Sequence, residues 1–307
     1  MYYYKIYDWL IKSEIRFDFL ELEKKINSDK KCLELKYIDL AFINFSKNIE
    51  ITNIINENVV IYDTNLGYLI KYYDNIILVS SYFIYFQKEQ NIEMQMEIFL
   101  TLGITLLFIQ RGIIPFHGAG ITLNKNLFII SADSNSGKST LLYNLLKKGY
   151  KLCADDLVPI EIIKNSCNGI LSNCSYIKLW DDTIKKYNIK NKKIEIIYKT
   201  GKYRVLFKNN IVKTNSGQLP INEIVILNTK YDGENIVIRE LEGLEKLIKM
   251  IELTHGYVLF KELLNKNLFK QYMILKKNIK ITEWKYNKNY KNLDLLVKMI
   301  LERGHNG

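Results

Sequence analysis

The run Ala132-Asp133-Ser134-Asn135-Ser136-Gly137-Lys138-Ser139-Thr140 constrains this chain more than any other feature. It fits the pattern Gly/Ala-x-x-x-x-Gly-Lys-Ser/Thr of a phosphate-binding loop, and its surroundings match. Leu127-Phe128-Ile129-Ile130 before it reads as a buried strand, and Leu141 to Lys148 after it reads as a helix closed by Gly149. A loop that turns backbone N–H groups inward at a helix N-terminus offers donors and partial positive charge to a polyphosphate. Gly137 lets the backbone approach closely, Lys138 supplies a mobile charge for the terminal phosphates, and the Ser139 hydroxyl can join a Mg²⁺ shell. Ala132 in the first position requires the loop to enter with an ordinary φ angle.

Two flanking segments extend the pattern. Tyr150 to Ala154 reads as a strand leading into Asp155-Asp156. Carboxylates at that place are positioned to hold Mg²⁺ or to act as a base, and adjacent residues of a strand point to opposite faces. Upstream, Pro115 to Leu123 reads as one strand, joined through Asn124-Lys125-Asn126 to the loop strand as an antiparallel hairpin. That departs from a plain βαβ unit. His117 opens the hairpin and is a candidate site residue; the other histidines, His255 and His305, read as a cap or loop residue and a tail residue.

From His117 to Asp156 the order is His-Gly-Ala-Gly, hairpin, Asp-Ser-x-x-Gly-Lys-Ser, a helix ending Lys-Lys-Gly-Tyr, then Leu-Cys-Ala-Asp-Asp. This segment resembles HPr kinase/phosphorylase and its relatives, among them serine-kinase homologues encoded with pathways for ribosomally made, modified peptides. The likeness continues more loosely through Tyr7 to Leu22 with Ser13-Glu14, Ile98 to Phe116 with Gln110-Arg111-Gly112, Ile177 to Trp180, Leu219 to Leu227 and Ile279 to Leu301. It implies an α/β fold with a P-loop kinase core of the HPr kinase/phosphoenolpyruvate carboxykinase-like type and a small N-terminal α+β lobe. It implies that Ala132 to Thr140 bind ATP. It also implies that Asp155, Asp156 and His117 are catalytic, and that Ser139 and Asp156 hold Mg²⁺. HPr kinases form oligomers, so the resemblance also admits a homo-oligomer. The sequence departs from the family at Ala132, Asn135 and Thr140, and it lacks the downstream Glu-x-Arg-Gly-x-Gly motif. The expected acceptor is therefore a Ser hydroxyl on a peptide or small protein rather than HPr, and phosphorolysis does not carry over. A metabolite kinase on the same scaffold and a non-catalytic nucleotide-binding regulator are the alternatives.

At 307 residues with 48% hydrophobic content the chain can bury a substantial core, which excludes wholesale disorder. The expected division is an α+β lobe over 1–90 and a kinase core over 91–307. A net charge of +11 is spread over scattered lysines. It is read as compositional drift with a modest pull on nucleotide, and no nucleic-acid partner is expected. The four cysteines form no Cys-x-x-Cys, and no leader is evident, so reduced thiols in the cytoplasm are expected. Ile98 to Gln110 is too short an uncharged run for a bilayer span and reads as a buried helix, so no membrane is expected. Tyr2, Tyr3, Tyr4, Tyr72, Tyr73, Tyr82 and Tyr85 read mainly as packing residues, with a recognition surface as the alternative. Lys199, Lys202 and Arg204 around Thr200-Gly201 read equally as a phosphate-gripping loop or a solvated hairpin. Leu241 to Leu253 and Leu293 to Leu301 have the spacing of packing helices.

Overall fold

The computed structural model describes residues 1–7, 9–17, 20, 22–23, 32–38, 45–54, 57–88, 90–133, 136–190, 194–197, 201–207, 211–212, 214 and 217–305. The chain is mixed α/β with several sheets and divides into two units. One is Met1–Gly112 with Val258–Asn265, and the other is Ile113–Tyr257 with Lys266–Gly307.

The first unit is built on one eight-stranded sheet. Its strands are β1 (Tyr2–Ile6), β2 (Trp9–Ser13), β3 (Cys32–Ile38), β4 (Phe45–Ile54), β5 (Glu57–Thr64), β6 (Gly67–Tyr72), β7 (Asn75–Val79) and β8 (Phe83–Gln87). They lie in the order β1-β2-β3-β8-β7-β6-β5-β4, with β2–β3 and β3–β8 parallel and the other pairs antiparallel. β6 and β7 form a hairpin. Tyr72 pairs with Asn75, so Tyr73 and Asp74 form the turn and Tyr73 takes φ 52°. Tyr4 packs rather than recognises: it is fully buried, and its hydroxyl accepts from Phe17 N at 2.8 Å. Tyr82 and Tyr73 are exposed.

The helical stretch runs as α1 (Ile92–Ile98), a π turn (Phe99–Gly103) and α2 (Ile104–Gln110). Asn91 caps it by accepting from Met94 N at 2.8 Å. Ile92–Gln110 is long and apolar enough to cross a membrane, yet 72% of its most apolar window is buried inside the fold. Phe108 packs edge-on to Tyr7 and against Trp9, with the Arg111 guanidinium over the Trp9 ring.

The second unit carries a nine-stranded sheet, a three-stranded sheet and most of the helices. Its elements begin with β9 (Ile114–His117), β10 (Ala119–Leu123), β11 (Asn126–Ala132), α3 (Lys138–Lys147), β12 (Leu152–Ala154), β13 (Leu157–Ile163) and β14 (Ser166–Ile170). The three-stranded sheet comprises β15 (Tyr176–Trp180), β16 (Ile194–Ile196) and β17 (Lys202–Leu206), with α4 (Asp181–Lys186) following β15. Then come β18 (Gln218–Asn228), β19 (Val237–Glu240), α5 (Gly243–Glu252) and the short α6 (Tyr257–Phe260), most of which groups with the first unit. The chain closes with α7 (Lys266–Asn278), β20 (Lys280–Lys285) and α8 (Tyr290–His305).

β11 is apolar from Leu127 to Ile130 because it is a central strand, with β10 antiparallel on one side and β18 parallel on the other. The expected β10–β11 hairpin is present. Asn124 and Lys125 form a two-residue turn with φ 50° and 62°, the positive pair that matches strand twist. β12 pairs with β10 on its far side, so α3 carries the chain from β11 past β10. Helices α3 and α8 bury Leu141, Leu145, Leu296 and Ile300 in one core with Trp284 and Tyr286. Each such side chain contributes about 1.5–3 kcal/mol relative to exposure.

The strand expected over Pro115 to Leu123 is two strands. β9 pairs with β13, whereas β10 pairs with β11 and β12, and the change of partner falls at Gly118. A Cβ there would come to 3.0 Å from Ile129 Cγ2 and 3.1 Å from the Ile130 carbonyl, so any side chain would make these neighbours give by a few tenths of an ångström. β12 and β13 change partners in the same way at Asp155-Asp156, and Gly118 N donates to the Asp156 carbonyl at 3.2 Å. The two switch points therefore face one another.

Candidate active site

These facing switch points set the site. Asp155 and Asp156 do not lie in a strand with their carboxylates on opposite faces. They form the bend between β12 and β13, and Asp156 takes φ 74°, a left-handed conformation that is costly for a residue with a Cβ. This turn brings both side chains to one cleft.

The cleft, of about 650 Å³, is lined by Ala132, Asp133, Ser136, Gly137, Lys138, Ser139 and Thr140, with Asp155, Asp156 and His117. Every site residue expected from sequence that the structure describes therefore lines one space; Ser134 and Asn135 lie outside the described residues. Gly137, at φ 84°, caps α3 and opens the helix N-terminus towards the cleft, and no acidic side chain sits in the first turn of α3. The loop is braced from behind: the Tyr286 hydroxyl donates to the buried Ser136 carbonyl, and Ser136 N donates to Asp133 O at 3.2 Å. The Thr140 hydroxyl bonds the Thr183 hydroxyl at 3.2 Å, which joins the loop side of α3 to the start of α4.

The two carboxylates have different neighbours. Asp155 Oδ2 accepts from Lys178 N at 2.8 Å, and its Oδ1 lies 3.8 Å from Lys138 Nζ. Asp156 Oδ1 lies 3.7 Å from His117 Nδ1, and its Oδ2 is 3.4 Å from Lys178 Nζ. Burial alone would raise the Asp156 carboxyl; the Lys178 and Lys138 charges override it and hold the group well below the usual carboxylate range. Burial, reinforced by Lys138 and opposed by Asp156, lowers His117 to about 3. Its imidazole is therefore neutral at pH 7.

Several lining residues were not singled out from sequence. Lys178 lies on β15, and its role depends on the three-stranded sheet meeting the Asp155 bend, a contact between distant segments. Trp180, 40% exposed, ends β15, and Lys202 Nζ sits 5.1 Å from its ring centroid. Asp181, Asp182, Lys288, Asn289 and Leu293 complete the wall. Of the basic loop, Gly201 and Lys202 line the cleft, Lys199 and Thr200 lie outside the described residues, and Arg204 is buried against the Tyr176 ring. His255, expected as a cap or loop residue, has its ring 5.8 Å from that of His117. Cys32, Cys153, Cys167 and Cys174 form no disulfide with one another.

No protein-family model and no curated protein matches this chain. Among solved structures it is similar to the Hpr(Ser) kinase/phosphatase from Coxiella burnetii. The alignment covers 62% of this chain and 95% of that one, at 16% identity and a TM-score of 0.34. A likeness that distant says nothing of what this chain does.

Proposed function

We propose that the second unit is a Mg²⁺- and ATP-dependent kinase that transfers the γ-phosphoryl group to a hydroxyl, a Ser of a peptide or small protein. The observation that carries this reading is the convergence of Lys138, Ser139 and the open end of α3 with two carboxylates and His117 in one cleft. The residues fit both ligands. A positive-φ Gly at the start of α3 and a lysine suit polyphosphate, and a hydroxyl with a carboxylate offers the hard oxygen donors Mg²⁺ takes.

Mg²⁺, when bound, neutralises charge on the phosphates. The resemblance implies Asp156 with Ser139 for the metal. The neighbours of the two carboxylates favour Asp155 there, since it lies beside Lys138, and leave Asp156 to the acceptor side with His117. Lys138 and the α3 N–H groups hold the phosphates, and Lys178 adds positive charge beside Asp156. Asp156 accepts the hydrogen bond of the acceptor hydroxyl and orients its oxygen in line with the γ-phosphorus. The new O–P bond forms as the bond to ADP breaks, and the hydroxyl proton leaves late. A weakly basic carboxylate is therefore adequate for a loose transition state, in which positioning and charge supply most of the rate. A peptide acceptor is favoured over HPr by the missing Glu-x-Arg-Gly-x-Gly motif.

The test is transfer from γ-labelled ATP with Mg²⁺ to a Ser-containing peptide encoded beside this chain, and separately to HPr. Label on the peptide that falls at least about 10³-fold in Lys138→Ala and Asp156→Asn supports the reading. Undiminished transfer in both variants would sink it.

A further inference from the structure

Two imidazoles and a carboxylate meet at the cleft, whose wall His117 and Asp156 line. The ligand atoms of His117, Asp156 and His255 all lie within 4.8 Å of one another, and His117 Nδ1 is 3.7 Å from Asp156 Oδ1. They come from three separate places in the chain: the end of β9, the β12–β13 bend and the segment after α5. Main-chain bonds hold all three backbones. His117 N donates to Leu253 O at 2.7 Å, His255 N donates to Pro115 O at 2.6 Å, and the Asp156 carbonyl accepts from Gly118 N at 3.2 Å. The Phe116–Thr254 bridge ties the two histidine segments between them.

We propose that His117, Asp156 and His255 form a binding site for one divalent transition-metal ion of the Zn²⁺, Mn²⁺ or Co²⁺ class, separate from the Mg²⁺ that accompanies nucleotide. Ligand atoms around a tetrahedral ion with bonds of about 2.0–2.1 Å stand roughly 3.3–3.5 Å apart. The present spacing closes to that with side-chain movements of about 1 Å or less. Two imidazole nitrogens and one carboxylate oxygen select transition ions; Mg²⁺ prefers oxygen donors and water. Three protein ligands leave positions open to water or to an acceptor group. Asp156 can serve because the oxygen facing His117 is not the one facing Lys178. Lys178 and Lys138 oppose a cation here electrostatically, so neutralising them with nucleotide phosphates strengthens the site. Only this coupling rests on the proposed kinase reading; the ion site stands without it.

The experiment uses the full chain, stripped with chelator and titrated with Co²⁺ in excess Mg²⁺, followed by visible absorption and by metal content after dialysis. One Co²⁺ per chain with nitrogen/oxygen-type absorption is expected. His255→Gln and His117→Gln should each weaken it more than about tenfold. Thermal melting shows whether each variant is folded. If one is not, the other decides, and the wild-type stoichiometry and spectrum stand alone. A non-hydrolysable ATP analogue should tighten Co²⁺ binding in the wild type; no tightening would remove the coupling and leave the site. Absence of a retained ion in folded wild-type protein overturns the proposal. So does a thiolate absorption band, which would place the ion on cysteines, and so does unchanged affinity in a folded His255→Gln variant. No readout involves turnover, so failure here is distinguishable from failure of the kinase reading.

Discussion

Replacing Tyr286 with Phe tests whether the C-terminal segment holds the phosphate loop in shape. Tyr286 follows β20, is fully buried, and is fixed by its own N–H to Asn228 O at 3.0 Å. Its hydroxyl donates to the carbonyl of Ser136, a residue only 4% exposed, and lies 3.4 Å from where a Cβ on Gly137 would stand. Burial raises the phenol pKa, so the donor stays protonated across the working range. The Phe ring keeps the packing and removes only the oxygen, leaving a buried carbonyl without this partner. That costs about 1–3 kcal/mol. For a domain of this size about 1 kcal/mol corresponds to roughly 2–4 °C in Tm, so a fall of about 5 °C is expected. If the loop relaxes by the same amount, nucleotide affinity drops about tenfold. The assay is thermal melting with and without MgATP, with a direct nucleotide titration. Tyr272→Phe is the control: this buried hydroxyl bonds Thr254 rather than the loop, and its loss should lower Tm without changing nucleotide affinity. Unchanged Tm and affinity in Tyr286→Phe, or equal nucleotide effects in both variants, would refute the bracing argument.

Two other outcomes follow from the site. His117 and His255 are both held by burial below the usual imidazole value, His117 at about 3. Below about pH 6.5 the unfolded chain takes up protons that the folded chain refuses, so stability falls as the pH drops from there; for His117 the fall continues towards pH 3, at up to about 1.4 kcal/mol per pH unit. In chelator, His117→Gln should flatten that limb of a Tm–pH curve; an unchanged slope would show that His117 titrates normally. Trp9 and Trp284 are almost fully buried, whereas Trp180 is exposed on the cleft wall. MgATP should change tryptophan emission in the wild type and not in Trp180→Phe, and a change that survives the substitution would place nucleotide elsewhere.

Much of the site is written in short stretches of sequence. The span from His117 to Asp156 contains the loop, its strand, its helix and both acids, because a phosphate cradle needs a positive-φ glycine, a lysine and a hydroxyl at fixed spacing. The β10–β11 hairpin was equally legible from its turn residues, although Asn126, expected in the turn, opens β11. Local pattern failed where partners change. Pro115 to Leu123 looks continuous, and only the exchange of neighbours at Gly118 splits it. The alternation rule put Asp155 and Asp156 on opposite faces, and a left-handed Asp156 undid it.

What the sequence alone determined is the chemistry available: a phosphate loop, paired carboxylates and a neighbouring histidine. Tertiary structure decided how those groups are paired and which others join them. Lys178 reaches the acids across 22 or 23 residues of chain, Tyr286 reaches Ser136 across 150, and His255 reaches His117 through main-chain bonds from the segment after α5. Periodicity and motif spacing report neighbours along the chain. These contacts come from sheet order and from the docking of helices on the sheet, which depend on burial summed over the whole unit.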